Sequence, residues 1–210
     1  MTCPHCKSDI NTAEFCAKCS GILPMTERPS PYAMLGFERE SLNVDRVELD
    51  RRFFELSRRF HPDRFASKTP LEIGLAHEWS SAVNNAYRTL KDPILRAKYW
   101  VERRLGSIEE KSASVPPEMA ELFFEVQDQL ETIRDSDGSA SAATVQQVRK
   151  AETDFRHEVT KLEKQLQNLF DEYDLQPDES KIVRMKEILS ERSYIKSFLR
   201  QIDEILNRED

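Results

Sequence analysis

The chain has 210 residues, 39% of them apolar and 33% charged, where an average globular chain has roughly 45–50% apolar and roughly 25% charged residues. Only 5 glycines are present, too few for the tight turns of a hairpin-rich β protein, so long and well-hydrated helices are expected. The 31 basic and 38 acidic side chains leave a formal charge of −7, which disfavours wholesale binding to nucleic acid or to an anionic membrane.

The first residues, Met1-Thr2-Cys3-Pro4-His5-Cys6, form neither a charged-then-apolar leader nor an Arg- and Ser-rich transit segment, and no run approaches the roughly 18 apolar residues of a spanning helix. A cytoplasmic protein is expected. All 4 cysteines of the chain stand in two Cys-x-x-Cys pairs, Cys3/Cys6 and Cys16/Cys19. Such pairs can turn four thiolates toward one ion about 2.3 Å away, which predicts a closed, structural, zinc-ribbon-like knuckle over residues 1–25. Four thiolates suit iron as well as zinc. Phe15 before the second pair and Gly21 after it fit the knuckle turn, and His5 reads as a loop residue. The ion is expected to order this region without a part in partner stimulation.

Residues 26–31 contain two prolines and little to bury, so they read as a linker. Over residues 45–60, Leu49, Phe53, Leu56 and Phe60 recur at helical spacing, with Asp45 and Glu48 placed for a capping box. Leu71, Leu75, Trp79, Ala82, Ala86 and Leu90 predict a second helix lying antiparallel to the first. Pro62 disfavours helical geometry at His61 and ends the first helix. Asp92-Pro93 then starts a short helix that ends near Gly106.

Residues 107–117 read as a second linker. Met119, Leu122, Val126, Leu130 and Ile133 form the next stripe, interrupted by a polar loop at 135–139. Val148, Phe155, Leu162 and Leu169, with Val159, Leu166 and Tyr173 offset by four, keep a seven-residue repeat. Ile188, Ile195 and Ile202, with Met185, Leu199 and Leu206, predict a third helix after Gln176-Pro177-Asp178. The pattern implies a three-helix bundle over 118–207.

A Gly-rich phosphate loop, a Gly-x-Ser-x-Gly elbow and a His-Glu-x-x-His pair are all missing from the sequence, so no catalytic residue is expected. His61-Pro62-Asp63 follows a helix carrying Arg51, Arg52, Arg58 and Arg59 and precedes an antiparallel partner. This arrangement resembles a J-domain, the module that stimulates ATP hydrolysis by DnaK-class chaperones, here over residues 31–106. His61-Pro62-Asp63-Arg64-Phe65, the segment from Asn84 to Pro93, Arg96-Ala97-Lys98-Tyr99 and the three-helix region narrow the likeness. Over residues 32–206 the chain resembles the HscB family, J-type co-chaperones of iron–sulfur cluster assembly, and its cysteine module is similar to that of some members.

The resemblance implies an all-α fold in which the J-domain engages a DnaK/HscA-class chaperone and the bundle binds the cluster scaffold IscU. Arginines on one helix face suit an acidic partner surface, while His61, Pro62, Asp63 and Arg64 form a small polar probe. In the family, an apolar group on the first bundle helix and an aromatic on the last line the scaffold groove. Tyr194 matches the latter. The nearest register sets Ala120, Glu121 and Phe124 at the former, two of them departures, and at least one of the surplus aromatics Phe123 and Phe124 is expected to supply the surface. Two other readings stand beside this one: a J-protein adaptor for a different client, and a thiol oxidoreductase built on the cysteine pairs.

Overall fold

The computed structural model describes residues 2–10, 14–106, 115, 119–135 and 141–207. Apart from Val115, the expected linker at 107–117 lies outside them, as does the polar loop at 136–139. The regular elements among the described residues are helical, and extended pairing among them is limited to two isolated antiparallel bridges, Thr2 with Asp9 and Phe15 with Ile22. No helix among them is long and apolar enough to cross a membrane. The chain packs as two compact units, Met1–Arg96 and Ala97–Asp210.

In the first unit a short helix α1 (Pro31–Met34) is capped by Ser30, and the buried Tyr32 donates its hydroxyl to the carbonyl of Ser41 at 2.6 Å. Helix α2 (Arg46–Arg59) follows, capped by Asp45, whose carboxylate accepts from the amides of Val47 and Glu48. The reciprocal half of the expected capping box is not made there, because the Glu48 carboxylate turns to Arg51 and Arg52 instead. A complete box forms one helix later. Thr69 caps α3 (Pro70–Lys91), exchanging bonds with Glu72 in both directions.

Phe53 stacks on Tyr87 at 3.9 Å and Phe60 on Trp79 at 4.9 Å, so position rises along α2 as it falls along α3 and the pair is antiparallel. The predicted α3 stripe is buried from Leu75 to Leu90, joined by Ala76 and Val83. Leu71 departs from it. It sits in the first turn of α3 and remains half exposed. Asp92 caps α4 (Pro93–Leu105), accepting from Ile94 at 2.7 Å, and Gly106 beyond its end takes a φ of +84°, where a side chain would be strained. The division between units falls inside α4.

In the second unit Trp100 of α4 meets Tyr173 edge-on at 5.4 Å. Helices α5 (Ala120–Asp135), α6 (Ala142–Leu175) and α7 (Glu179–Leu206) pack on one another. Phe123 lies against Phe155, and Gln129 against Gln147, so α5 and α6 run antiparallel. Arg156 pairs with Asp203 and Arg192 with Glu163, so α6 and α7 do as well.

Two stripes shift phase from the sequence expectation. On α5 the buried set is Phe123, Val126, Leu130 and Ile133, with Leu122 half-buried at the edge. On α6 Phe170 rather than Leu169 is fully buried. A straight helix drifts about 20° per heptad from a strict seven-residue repeat, so after three repeats the next residue has turned inward.

Candidate functional site

Each Cys-x-x-Cys pair is wound into the same backbone turn. The amide of Cys3 donates to Ser8 and that of Lys7 back to Cys3, and Cys16, Gly21 and Ser20 repeat the pattern. Lys7 and Ser20 hold equivalent left-handed conformations, with φ of 59° and 57°. The four sulfurs come within 4.8 Å of one another, with Cys3 to Cys19 and Cys6 to Cys16 both 3.7 Å. Sulfurs arranged tetrahedrally at about 2.3 Å from an ion stand about 3.8 Å apart, whereas a disulfide needs about 2.05 Å. The donor set therefore fits one tetrahedral metal ion.

The protons of these thiols are unevenly held. The amide of Cys19 and the hydroxyl of Ser8 draw Cys16 down to about 6. For Cys19 the amide of Gly21 acts in the same direction, but burial and the neighbouring sulfurs outweigh it and push the thiol up to about 12. Four adjacent thiolates need a cation to coexist. His5 is more than a loop residue: its Nε2 lies 2.8 Å from the carbonyl of Ile22, tying the first turn to the second. Gly21 makes room for that ring, since a Cβ there would approach His5 Cδ2 to 2.5 Å.

At the far end of α2, Phe60 closes the helix and Pro62–Phe65 form a single 3-10 turn. Inside the turn, Nδ1 of His61 accepts the amide of Asp63 at 3.3 Å, leaving Nε2 for an incoming group. The Asp63 side chain is 89% exposed. Arg64 donates to the carbonyl of Arg58, and Phe65 anchors the turn in the core. The polar atoms of the motif thus face water while its last residue holds it to the fold.

The four candidate arginines of α2, Arg51, Arg52, Arg58 and Arg59, are not equivalent. Arg51 is shared between Glu48 and Glu55. Arg52 lies over the Phe37 ring, pairs with Glu48 and donates to the carbonyls of Leu35 and Gly36. Arg59 pairs with Glu14 of the knuckle at 2.7 Å. Among the described residues no carboxylate pairs with Arg58. The stripe reading also passed over Phe54, which is 60% exposed between Arg51 and Arg58 on the same face. Its signal in the sequence is an aromatic residue out of phase with Leu49, Phe53, Leu56 and Phe60.

On the bundle, Phe123 and Phe124 part company. Phe123 is 4% exposed and packs against Phe155, Tyr194 and Phe198 at 4.5, 5.0 and 4.9 Å. Its expected surface role is corrected accordingly: it belongs to the core, because the α5 stripe runs through it. Phe124 is 75% exposed. Half-buried Tyr194 borders a shallow groove with Gln127, Ser197 and Arg200. Glu121 is exposed and Ala120 half-buried, so neither adds a large apolar group to this face.

A basic helix, an exposed His-Pro-Asp turn and an antiparallel partner helix, followed by a helical bundle, define the J-type class of architecture. The particular fold is that of HscB. The crystal structure of human co-chaperone protein HscB superposes over 99% of this chain and 98% of its own, with a TM-score of 0.68 and 20% identity. The chaperone HscB from Vibrio cholerae superposes over 87% of this chain and 100% of its own, with a TM-score of 0.58 and 20% identity.

In sequence the chain is 41% identical over 61 residues to the co-chaperone protein HscB homolog of Bordetella petrii, covering 29% of this chain and 36% of the relative. It is 40% identical over 68 residues to the co-chaperone protein HscB of Proteus mirabilis, covering 32% and 39%. The match thus spans less than two-fifths of these curated relatives. No family model matches. The chain resembles HscB co-chaperones in sequence over that stretch, has their fold over nearly its whole length, and carries a four-cysteine cluster suited to an amino-terminal metal module.

Proposed function

We propose that this chain is a co-chaperone that stimulates the ATPase of a DnaK/HscA-class chaperone and delivers an IscU-type iron–sulfur scaffold to it, with one zinc or iron ion in the cysteine knuckle, in the cytoplasm. The observation that carries the proposal is the His61, Pro62 and Asp63 turn, held by Phe65 yet presenting its carboxylate to solvent. A proline restricts the backbone, so little freedom is lost when the turn docks. Arg58 and Arg64, which pair with no carboxylate among the described residues, supply positive charge beside it, and Phe54 supplies an exposed ring on the same helix. The contact is then electrostatic in approach and apolar in its anchoring.

Residues 31–106 serve the chaperone and residues 118–207 the scaffold, which meets Phe124 and Tyr194. Arg51, Arg52 and Arg59 add to the field of α2 but are already engaged within the chain. The matching 3.7 Å sulfur spacings favour a metal over thiol exchange at the knuckle. Steady-state ATPase of the chaperone, measured with this chain and the scaffold separately and together, is expected to rise with the chain and to rise more than additively with both. No rise with the chain alone refutes the proposal.

A second reading, an adaptor for another client, is favoured by Glu121 and Ala120 at positions where the family has apolar contacts. A pull-down on the full chain distinguishes the two. Capture of the scaffold supports the first, and capture of a different client without it supports the second.

A further inference from the structure

The sequence treats the four-cysteine knuckle as a separate ordering device, yet its residues meet the helical hairpin at the base of the His-Pro-Asp turn. Phe15 directly precedes the ligand Cys16, and Phe60 directly precedes His61. Their rings lie face to face, 5.6 Å apart and 6° from parallel. Trp79 of α3 covers the other face of Phe60 at 4.9 Å and 9°, so the three rings form one stack. Phe60 at its centre has no exposed surface.

The stack is tied at both edges. The indole Nε1 of Trp79 donates to the carbonyl of Leu23 at 2.8 Å, and the Leu23 side chain packs on Cys3 and Cys16. Arg59 pairs with Glu14 at 2.7 Å while its guanidinium lies 4.9 Å over Phe15 and 5.7 Å over Phe60. The backbone of the second turn carries these groups together, since the amide of Leu23 donates to Glu14 and Phe15 bridges Ile22. An ion holding Cys16 and Cys19 therefore fixes the segment on which Phe15, Glu14 and the Leu23 carbonyl are mounted.

We infer that the knuckle positions the chaperone-engaging turn: metal binding by Cys3, Cys6, Cys16 and Cys19 and the order of residues 61–65 are linked through the Phe15, Phe60 and Trp79 stack. Phe15, Glu14, Arg59 and Trp79 act as positioning residues, touching neither the ion nor the solvent-facing atoms of His61 and Asp63. Linkage is reciprocal, so whatever factor the metal contributes to the turn, the hairpin returns to the metal. An independently folded knuckle joined by the 26–31 linker would show no such exchange. The consequence for ATPase stimulation rests on the function proposed above, whereas the linkage itself requires no chaperone.

Two measurements on the full chain test it from opposite sides. In the first, amide hydrogen exchange at Asp63, Arg64 and Phe65 is compared between zinc-loaded and zinc-stripped protein, with Leu49 and Leu90 reporting on the helices. Exchange is expected to accelerate about fivefold or more without metal. Phe15→Leu should accelerate it in the loaded protein, and Phe15→Tyr, which keeps the ring, should restore it.

In the second, zinc affinity is measured by competition with a chromophoric chelator for Trp79→Phe, which removes only the indole donor and part of the ring, and for Arg59→Gln. Arg59 is half exposed, so this variant keeps the test open if the other fails to fold. Affinity is expected to fall about fivefold or more in a folded variant. Zinc affinity at the wild-type value in the folded variants, or exchange at 63–65 indifferent to zinc, overturns the inference. Intact linkage with a chaperone that this chain fails to stimulate would refute the proposed function and leave the inference standing.

Discussion

Adjacent phenylalanines on α5 should respond oppositely to the same truncation. Phe123→Ala removes a ring that is 4% exposed and enclosed by Phe155, Tyr194 and Phe198. Truncating a buried phenylalanine costs about 3–5 kcal/mol, transfer and cavity together. In a unit the size of Ala97–Asp210 that corresponds to a fall of roughly 12–20 °C in Tm, taking about 4 °C per kcal/mol. Phe124→Ala removes a ring that is 75% exposed, so its stability should stay within about 0.5 kcal/mol of wild type. As a contact at the scaffold surface it should weaken binding by about 2 kcal/mol, roughly thirtyfold in Kd. Far-UV circular dichroism on heating and titration with an IscU-type scaffold provide the two readouts. A Phe124→Ala protein that melts as early as Phe123→Ala, or that binds the scaffold like wild type, would refute the assignment of core and surface.

Three further outcomes follow from the charged groups. The side chain of Arg51, then that of Arg52, holds the Glu48 carboxyl down at about 2 from an ordinary 4.5, so its contribution to α2 is fully present above that ordinary value and is lost as pH falls toward 2. Acid-induced melting curves of wild type and Glu48→Gln should therefore diverge above pH 2 and converge below it, and superimposable curves would contradict the pairing. Purified chain should hold one ion at the cysteines and release it as acid protonates the thiolates, with metal analysis across pH as the check and a ratio near zero under reducing conditions as the refutation. Arg58→Glu should slow association with the chaperone, an effect that shrinks as salt rises, because Arg58 is exposed and has no carboxylate partner among the described residues. Unchanged association at low salt would remove Arg58 from the docking face.

Periodicity located α2, α3 and the three bundle helices because each buries one face, whereas α4 was marked by Asp92-Pro93 and Gly106 and the short α1 carries no repeat. Leu49 and Phe60, or Leu75 through Leu90, recur at a spacing that only a helix brings together. It was less able to set phase. Between Leu122 and Phe123, or Leu169 and Phe170, neighbouring apolar residues both satisfy a stripe, and the choice falls to the partner helices and to the drift of 3.6 residues per turn against seven. The cysteine spacing conveyed the four-sulfur cluster with equal clarity, since both turns are local.

What local pattern withheld was partnership at long range. Arg52 and Arg59 looked like Arg58 in the sequence, but Arg52 is drawn to the 35–36 carbonyls and Arg59 to Glu14. The contact of Trp79 with Leu23 joins residues far apart in the chain, and no repeat announces it. The available hint was chemical: a buried indole requires an acceptor for its N–H, and the helical stripe containing Trp79 offers none.

The central claim, that the His-Pro-Asp turn drives a chaperone ATPase, is tested most directly by one substitution. Asp63→Asn preserves the shape of an 89% exposed side chain and removes its charge, so the fold should be unaffected. Steady-state ATPase of the DnaK/HscA-class chaperone with wild-type chain and with Asp63→Asn, both confirmed folded by their thermal transitions, is the deciding measurement. The account predicts stimulation by the wild type and none by the variant; stimulation by Asp63→Asn equal to that of wild type would contradict it.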